Sequence, residues 1–211
     1  MSLLEILATV VTVACVLLAV KRSTWQYPIG IVGTILFFFV FLGAKLYASA
    51  MLQVFFTGVQ VYGWWYWIKG YKGKAPPITS WSAPVTGLVI LAGLALGITL
   101  SDLLSAFTDA KVAKADSIIF GLSMAAQFLL DRKKLENWLV WAGVNAISIY
   151  VYGSQGLALT TVLYTFLFFN AFYGYYEWHK AKRAQRIVWE ADAKKYPPAP
   201  VVETKPGDLI L

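Results

Sequence analysis

The chain has 211 residues, 59% of them hydrophobic and 14% charged, with a mean hydropathy of +0.63; an ordinary globular domain is about 45–50% apolar and about 25% charged, so this composition suits lipid. The formal net charge of +7 does not suggest a nucleic-acid binder, because Lys and Arg cluster in the gaps between apolar runs instead of along one soluble face. A single cysteine, Cys15, and a single histidine, His179, exclude an intrachain disulfide and a thiolate metal site, and no cofactor is expected.

Seven apolar runs follow one another, at 3–20, 25–43, 46–68, 84–101, 117–130, 137–152 and 156–178. They predict an all-α polytopic membrane protein with seven transmembrane helices. About 17–25 residues cross the hydrocarbon of a bilayer, so the fifth and sixth runs are short and draw support from the repeat below. The first run carries Glu5 and lacks a basic leader or a small-residue cleavage pattern, so it reads as a retained helix and not a signal peptide. Past 178 the charged stretch from His179 suits a short cytoplasmic helix, which Tyr196-Pro197-Pro198-Ala199-Pro200 cannot continue; a mobile end is expected.

Counting Lys and Arg on alternate sides of seven spans places 15 on one side and 3, Lys45, Lys111 and Lys114, on the other. The positive-inside rule then puts the C-terminus in the cytoplasm and the N-terminus outside. Adding or losing one helix would move every later loop across and spoil the separation.

Self-comparison shows a duplication. At a shift of 113, Trp25 falls on Trp138 and Gly30 on Gly143; at a shift of 111, Leu46, Phe55, Tyr62, Gly63 and Trp67 fall on Leu157, Phe166, Tyr173, Gly174 and Trp178. Runs one to three thus repeat as five to seven, with residues 1–68 and 111–178 as repeats, 69–110 as a loop and linker helix, and 179–211 as a basic, Pro-rich tail. With one helix between them the two triplets are parallel, an arrangement shared with SWEET facilitators, whose substrate path lies between the halves.

No run has an ionisable residue at its centre; Glu5, Asp102, Asp116, Asp131, Glu136 and Glu177 lie at ends or boundaries. Ion-coupled pumps need such groups inside the membrane, so uniport is expected. The last run has no lysine before Lys180 for a retinal Schiff base, and no enzyme constellation is present. What remains is polar and neutral. Gln53, Thr57, Gln60 and Trp64 share one face of the third helix, and Trp138, Trp141, Asn145, Ser148 and Tyr152 recur at spacings of three and four on the sixth. Asn170, Tyr173 and Glu177 align on the seventh, and Gln127 follows Ser123 on the fifth. The plain reading of a single amide or hydroxyl is helix joining, at about 0.6–2 kcal/mol. Trp141 with Asn145 differs: an indole one turn before an amide offers a stacking face beside a donor and an acceptor, which suits a flat heterocycle with a polar substituent. Trp64, Trp65 and Trp67 read as interface anchors, and Gly30, Gly33, Gly143 and Gly174 as close packing or bends.

The runs ENWLVWAGVNAISIY at 136–150, AQFLLDRKK at 126–134, YGYYEWHK at 173–180 and LYASAMLQVFFTGVQVYGWWYW at 46–67 resemble the Pnu-type (PnuC family) vitamin transporters. The likeness covers about residues 2–182. It implies a bacterial inner-membrane facilitator of two parallel three-helix bundles, often a homotrimer, whose vitamin is trapped by a cytoplasmic kinase. It implies a substrate near Trp141 and Asn145, with Gln127, Gln53, Thr57, Gln60, Trp138, Asn170 and Tyr173 as further candidates. Shared motifs leave the vitamin open among nicotinamide riboside, thiamine, riboflavin and nucleosides. Nicotinamide riboside and thiamine both carry a cationic ring that aromatic faces attract; nicotinamide riboside comes first, thiamine second. A membrane receptor or assembly protein would need long soluble loops, and an intramembrane enzyme an acid, base or nucleophile, which the runs lack.

Overall fold

The computed structural model describes residues 3–43, 47–69, 76–107, 114–154 and 158–195. Leu46, the Tyr196–Pro200 stretch with the rest of the tail, and the side chain of Tyr152 lie outside the described residues. Each apolar run forms one helix: α1 (Leu3–Val20), α2 (Gln26–Gly43), α3 (Tyr47–Lys69), α4 (Ala83–Phe107), α5 (Lys114–Asp131), α6 (Asn137–Ser154) and α7 (Ala158–Lys195). The basic stretch after Trp178 does not start a helix of its own but continues α7.

Counted over the described residues alone, no helix is long and apolar enough to cross a membrane. By sequence, Glu5 is the single charge among the 18 residues of α1, and α2 has none in 18. Leu88, Leu91, Val162 and Phe169 are all more than three-fifths exposed. An apolar exterior of this kind calls for lipid, since helices satisfy their own backbone groups there.

The helices are neighbours in the order α1, α2, α3, α5, α6, α7 and back to α1, and α4 packs chiefly on α5. The two triplets therefore meet along two seams, α1 with α7 and α3 with α5. The α4–α5 crossing is glycine-made: a Cβ on Gly93 would strike the carbonyl of Gly121, and one on Gly121 that of Gly93.

The duplication is most visible in the turns that follow α1 and α5. Arg22 (φ 57°) and Lys133 (φ 48°) hold the left-handed position at which a helix stops. Arg22 N–H donates to Ala19 O at 2.9 Å and Ser23 N–H to Leu18 O at 3.0 Å; Lys133 N–H donates to Leu130 O at 2.9 Å and Lys134 N–H to Leu129 O at 2.8 Å. Both are Schellman closures, one residue for one residue at a shift of 111. That shift corrects the pairing of Trp25 with Trp138 and of Gly30 with Gly143. Trp25 is 68% exposed; the buried counterpart of Trp138 is Tyr27. An exposed Trp two residues before a buried Tyr misled the sequence match, because identity at an interface position outweighed burial.

Candidate functional site

The sixth helix carries the strongest constellation. Trp141, half-buried, packs against all three apolar clusters of the molecule, so its indole stands where they converge. Asn145 is 3% exposed one turn on, and Ser148 is fully buried with no hydrogen-bond partner for its Oγ. Asn170 of α7 is buried too. A buried hydroxyl without a partner costs about 1–3 kcal/mol, so a ligand group that met it would gain what the protein forgoes. Sequence reasoning put Ser148 on this face but did not single it out as a site residue; its burial was the missing signal.

The other candidates lie elsewhere. Thr57 Oγ1 donates to Gln53 O at 2.8 Å and shares a 2.8 Å hydrogen bond with Thr34, which joins α3 to α2 within the first half. Gln60 is buried with its side-chain amide in the space left by Gly30, close to Cys15. Gln127 Nε2 donates to Asp131 Oδ1 at 3.0 Å. Trp138 lies flat on Gly174, where a Cβ would come within 2.6 Å of its ring, and meets Trp178 edge-on; it is packing core. Tyr173 is 53% exposed and stands apart from the buried Asn170. Gly143, expected to serve close packing, is exposed and has nothing within 4 Å of a Cβ built on it.

Position 111 residues earlier shows what makes the second half different. Gly30 stands where Trp141 does, Thr34 where Asn145 does, and Gln60 where Ala171 does. In the first half a glutamine fills the hole over a glycine, and the hydroxyls pair with each other. The second half pairs a large indole with a small alanine and leaves Ser148 unspent. The half-buried indole, the buried amide and the unpartnered hydroxyl therefore all lie on α6.

Two features were not foreseen. Trp67, expected at the interface, is fully buried and donates from Nε1 to Asp131 O at 3.0 Å; Trp178 Nε1 lies 3.1 Å from Ala19 O and 3.2 Å from Val20 O. Each tryptophan thus caps the first helix of the other half. Asp131, placed at a boundary by the sequence, is 1% exposed and accepts from Tyr27 Oη at 2.9 Å. Around these groups Arg132 lies over Tyr66 at 4.7 Å and Lys133 over Trp67 at 4.2 Å. An open apolar groove of about 510 Å³ between α3 and α5, lined by Val54, Phe55, Tyr62, Met124 and Phe128 with Asp131 at one end, contains none of the expected site residues. Among the described residues no group of acidic, His or Cys side chains could hold a metal.

A family model for the nicotinamide mononucleotide transporter matches residues 2–180. The chain is 28% identical over 213 residues to the nicotinamide riboside transporter PnuC of Escherichia coli (strain K12), covering 87% of both chains. It is 25% identical over 198 residues to the nicotinamide riboside transporter PnuC of Neisseria mucosa, covering 85% of this chain and 73% of that one. To the riboflavin/roseoflavin transporter RibM of Streptomyces davaonensis it is 24% identical over 180 residues, covering 82% and 83%. A crystal structure of the vitamin B3 transporter PnuC superposes with a TM-score of 0.72 at 22% identity, over 86% of this chain and 82% of that one, a likeness of fold.

Proposed function

Since the chain belongs to the nicotinamide mononucleotide transporter family, a family of multi-pass bacterial membrane transporters and not of enzymes, we propose that it admits nicotinamide riboside by facilitated diffusion. The observation that carries this reading is the α6 face, where a half-buried indole, a buried amide and a buried unpartnered hydroxyl recur at helical spacing. A cationic pyridinium stacked on Trp141 gains a cation–π contribution of about 0.5–2 kcal/mol. Its carboxamide and ribose hydroxyls match Asn145 and Ser148. Asn170 supplies a further buried amide from α7. Gln53, Thr57, Gln60, Gln127, Trp138 and Tyr173 serve the frame in this reading.

Residues 1–68 and 111–178 act as two bodies around the path, and 69–110 joins them. The lopsided Lys and Arg distribution supports a cytoplasmic C-terminus. Uniport follows from spans without a central ionisable group, with a cytoplasmic kinase trapping the vitamin, and the assembly is a homotrimer as the family resemblance implies. Riboflavin is the second reading, favoured by the likeness to RibM.

Calorimetric titration of the purified protein with nicotinamide riboside, riboflavin and thiamine tests the proposal. Saturable binding of nicotinamide riboside, tighter than the other two by tenfold or more, is expected. Tighter binding of riboflavin would move the protein to the second reading, and equal weak binding of all three would overturn both.

A further inference from the structure

Four rings from both halves meet at one end of the molecule. Tyr27 meets Trp67 edge-on with centroids 5.4 Å apart at 80°; Trp138 meets Trp178 at 5.5 Å and 85°. Trp67 and Trp178, at equivalent positions, touch across the join at 6.0 Å. The row Tyr27–Trp67–Trp178–Trp138 thus runs from α2 through α3 and α7 to α6, crossing between the halves at its middle. All four rings are at most 3% exposed.

The packing of the row is symmetric, but its hydrogen bonding is not. Position 131 corresponds to position 20, where the first half has a valine in place of the aspartate. Tyr27 Oη therefore donates to Asp131 of the opposite half at 2.9 Å, whereas Trp138 Nε1 is buried without a partner. Gln127 Nε2 donates to the same Oδ1 at 3.0 Å while Oδ2 is buried without a partner, and Gly63 leaves the room the carboxylate needs: a Cβ there would lie 2.6 Å from Tyr27 Cε1 and nearer still to Asp131. One end of the join carries a buried polar bond between the halves, which their separation would break.

We propose that the four-ring row is the closed gate at this end of the passage and that the Tyr27–Asp131 hydrogen bond is its latch. The proposal rests on the two-body passage put forward above but not on the identity of its ligand. A bond between a buried hydroxyl and a carboxylate is short-ranged, so it holds the closed state and adds nothing once the halves part. Tyr27 and Asp131 are positioning residues that set how often the passage opens at this end.

Spin labels on the exposed ends of the two halves test it, with Lys69→Cys and Lys180→Cys in a Cys15→Ala background, measured in the full chain by pulsed dipolar spectroscopy. Tyr27→Phe removes only the hydroxyl and should add a longer-distance population absent from the parent. Asp131→Leu should do the same to a greater extent. Asp131→Asn keeps an oxygen acceptor for Tyr27 and Gln127 and should retain the parent distribution. An unchanged distribution in Tyr27→Phe overturns the latch, whatever the fate of the harsher Asp131→Leu. Asn and Leu behaving alike at 131 would show that the charge, and not the hydrogen bond, holds this end. Ligand titration of the parent is independent of these distances, so failure of the vitamin assignment leaves the latch standing.

Discussion

The turns after α1 and α5 share a backbone to within a few tenths of an ångström in their hydrogen bonds, yet they are dressed differently. The first has Val20, which shares one buried apolar cluster with Ile78 of the linker. The second has Asp131, and the segment 76–82 is laid along it: Thr79 N–H donates to Lys133 O, Leu135 N–H to Thr79 O, and Lys134 Nζ to Thr79 Oγ1 at 2.7 Å. Ile78 N–H reaches Gln185 of the α7 extension at 3.2 Å, and Lys182 binds Ser80. The two halves share one frame, and the proposed ligand face, the buried carboxylate and the strap all lie on the second. Symmetric packing is compatible with asymmetric chemistry because packing fixes shape while the hydrogen-bonding groups are free to differ.

The largest way to break this asymmetry is at the ligand face. Trp141→Ala and Asn145→Leu should each greatly weaken vitamin binding, the first by about 0.5–1.5 kcal/mol beyond lost burial and the second by about 1–3 kcal/mol for an unpaired polar group. Thr34→Val, at the equivalent of Asn145, removes the hydrogen bond to Thr57 and one to Ile31 O within its own helix, and should leave affinity within about threefold. Titration of the three variants, with the exposed Trp65→Ala as a control, decides it. If Thr34→Val costs as much as Asn145→Leu, both halves bind and the asymmetry is not functional.

A smaller effect separates shape from chemistry. Gly63→Ala and Gly174→Ala occupy equivalent positions; the first new methyl meets the Asp131 carboxylate and the Tyr27 ring, the second the Trp138 ring, and overpacking of this kind costs about 1–3 kcal/mol. Both should lower thermal stability in detergent by similar amounts, while Gly143→Ala, which meets nothing, should hold or raise it. A tolerated Gly174→Ala would mean that Trp138 can leave the row.

The helices were legible because hydropathy needs no partner: among the described residues each of the seven runs forms one helix, with most ends moved by a few residues and that of α7 carried on to Lys195 by its basic stretch. The repeat was legible in α3 and α7, where YGWWYW and YGYYEW carry their own register, but misjudged in α2 and α6, where Trp25 and Trp138 match in type and differ in burial. Asp131 was out of reach, since its partner Tyr27 lies 104 residues away and a carboxylate at the end of an apolar run reads as solvated. Trp67 was misread for the same reason: in sequence it is one of a cluster with Trp64 and Trp65, and only the fold sends it inward to cap α5 while they stay exposed. Tyr173 shares a helix spacing with Asn170 but not its burial, a difference that spacing alone does not carry.

The smallest effect sharpens the comparison of the two turns. Arg22 is exposed, whereas its counterpart Lys133 is 8% exposed. Burial, with Arg22 nearby as the second cause, pushes the Lys133 ammonium down from 10.5 to about 8. A lysine lowered in the folded state binds its proton more weakly there than in the unfolded chain. Between about pH 8 and 10.5 the unfolded chain therefore holds more protons, and stability should rise with pH, by at most about 1.4 kcal/mol per unit. Below about pH 8 both states are protonated and the full cost of the buried charge is present. The Trp67 ring at 4.2 Å opposes this by favouring the cation, so the observed slope should fall short of the limit. Lys133→Met keeps the bulk of the stem and removes the titration: its melting temperature should be higher than the parent's at pH 7.5, with the two curves converging towards pH 10.5. Parallel curves across that range would show that the indole holds Lys133 charged throughout.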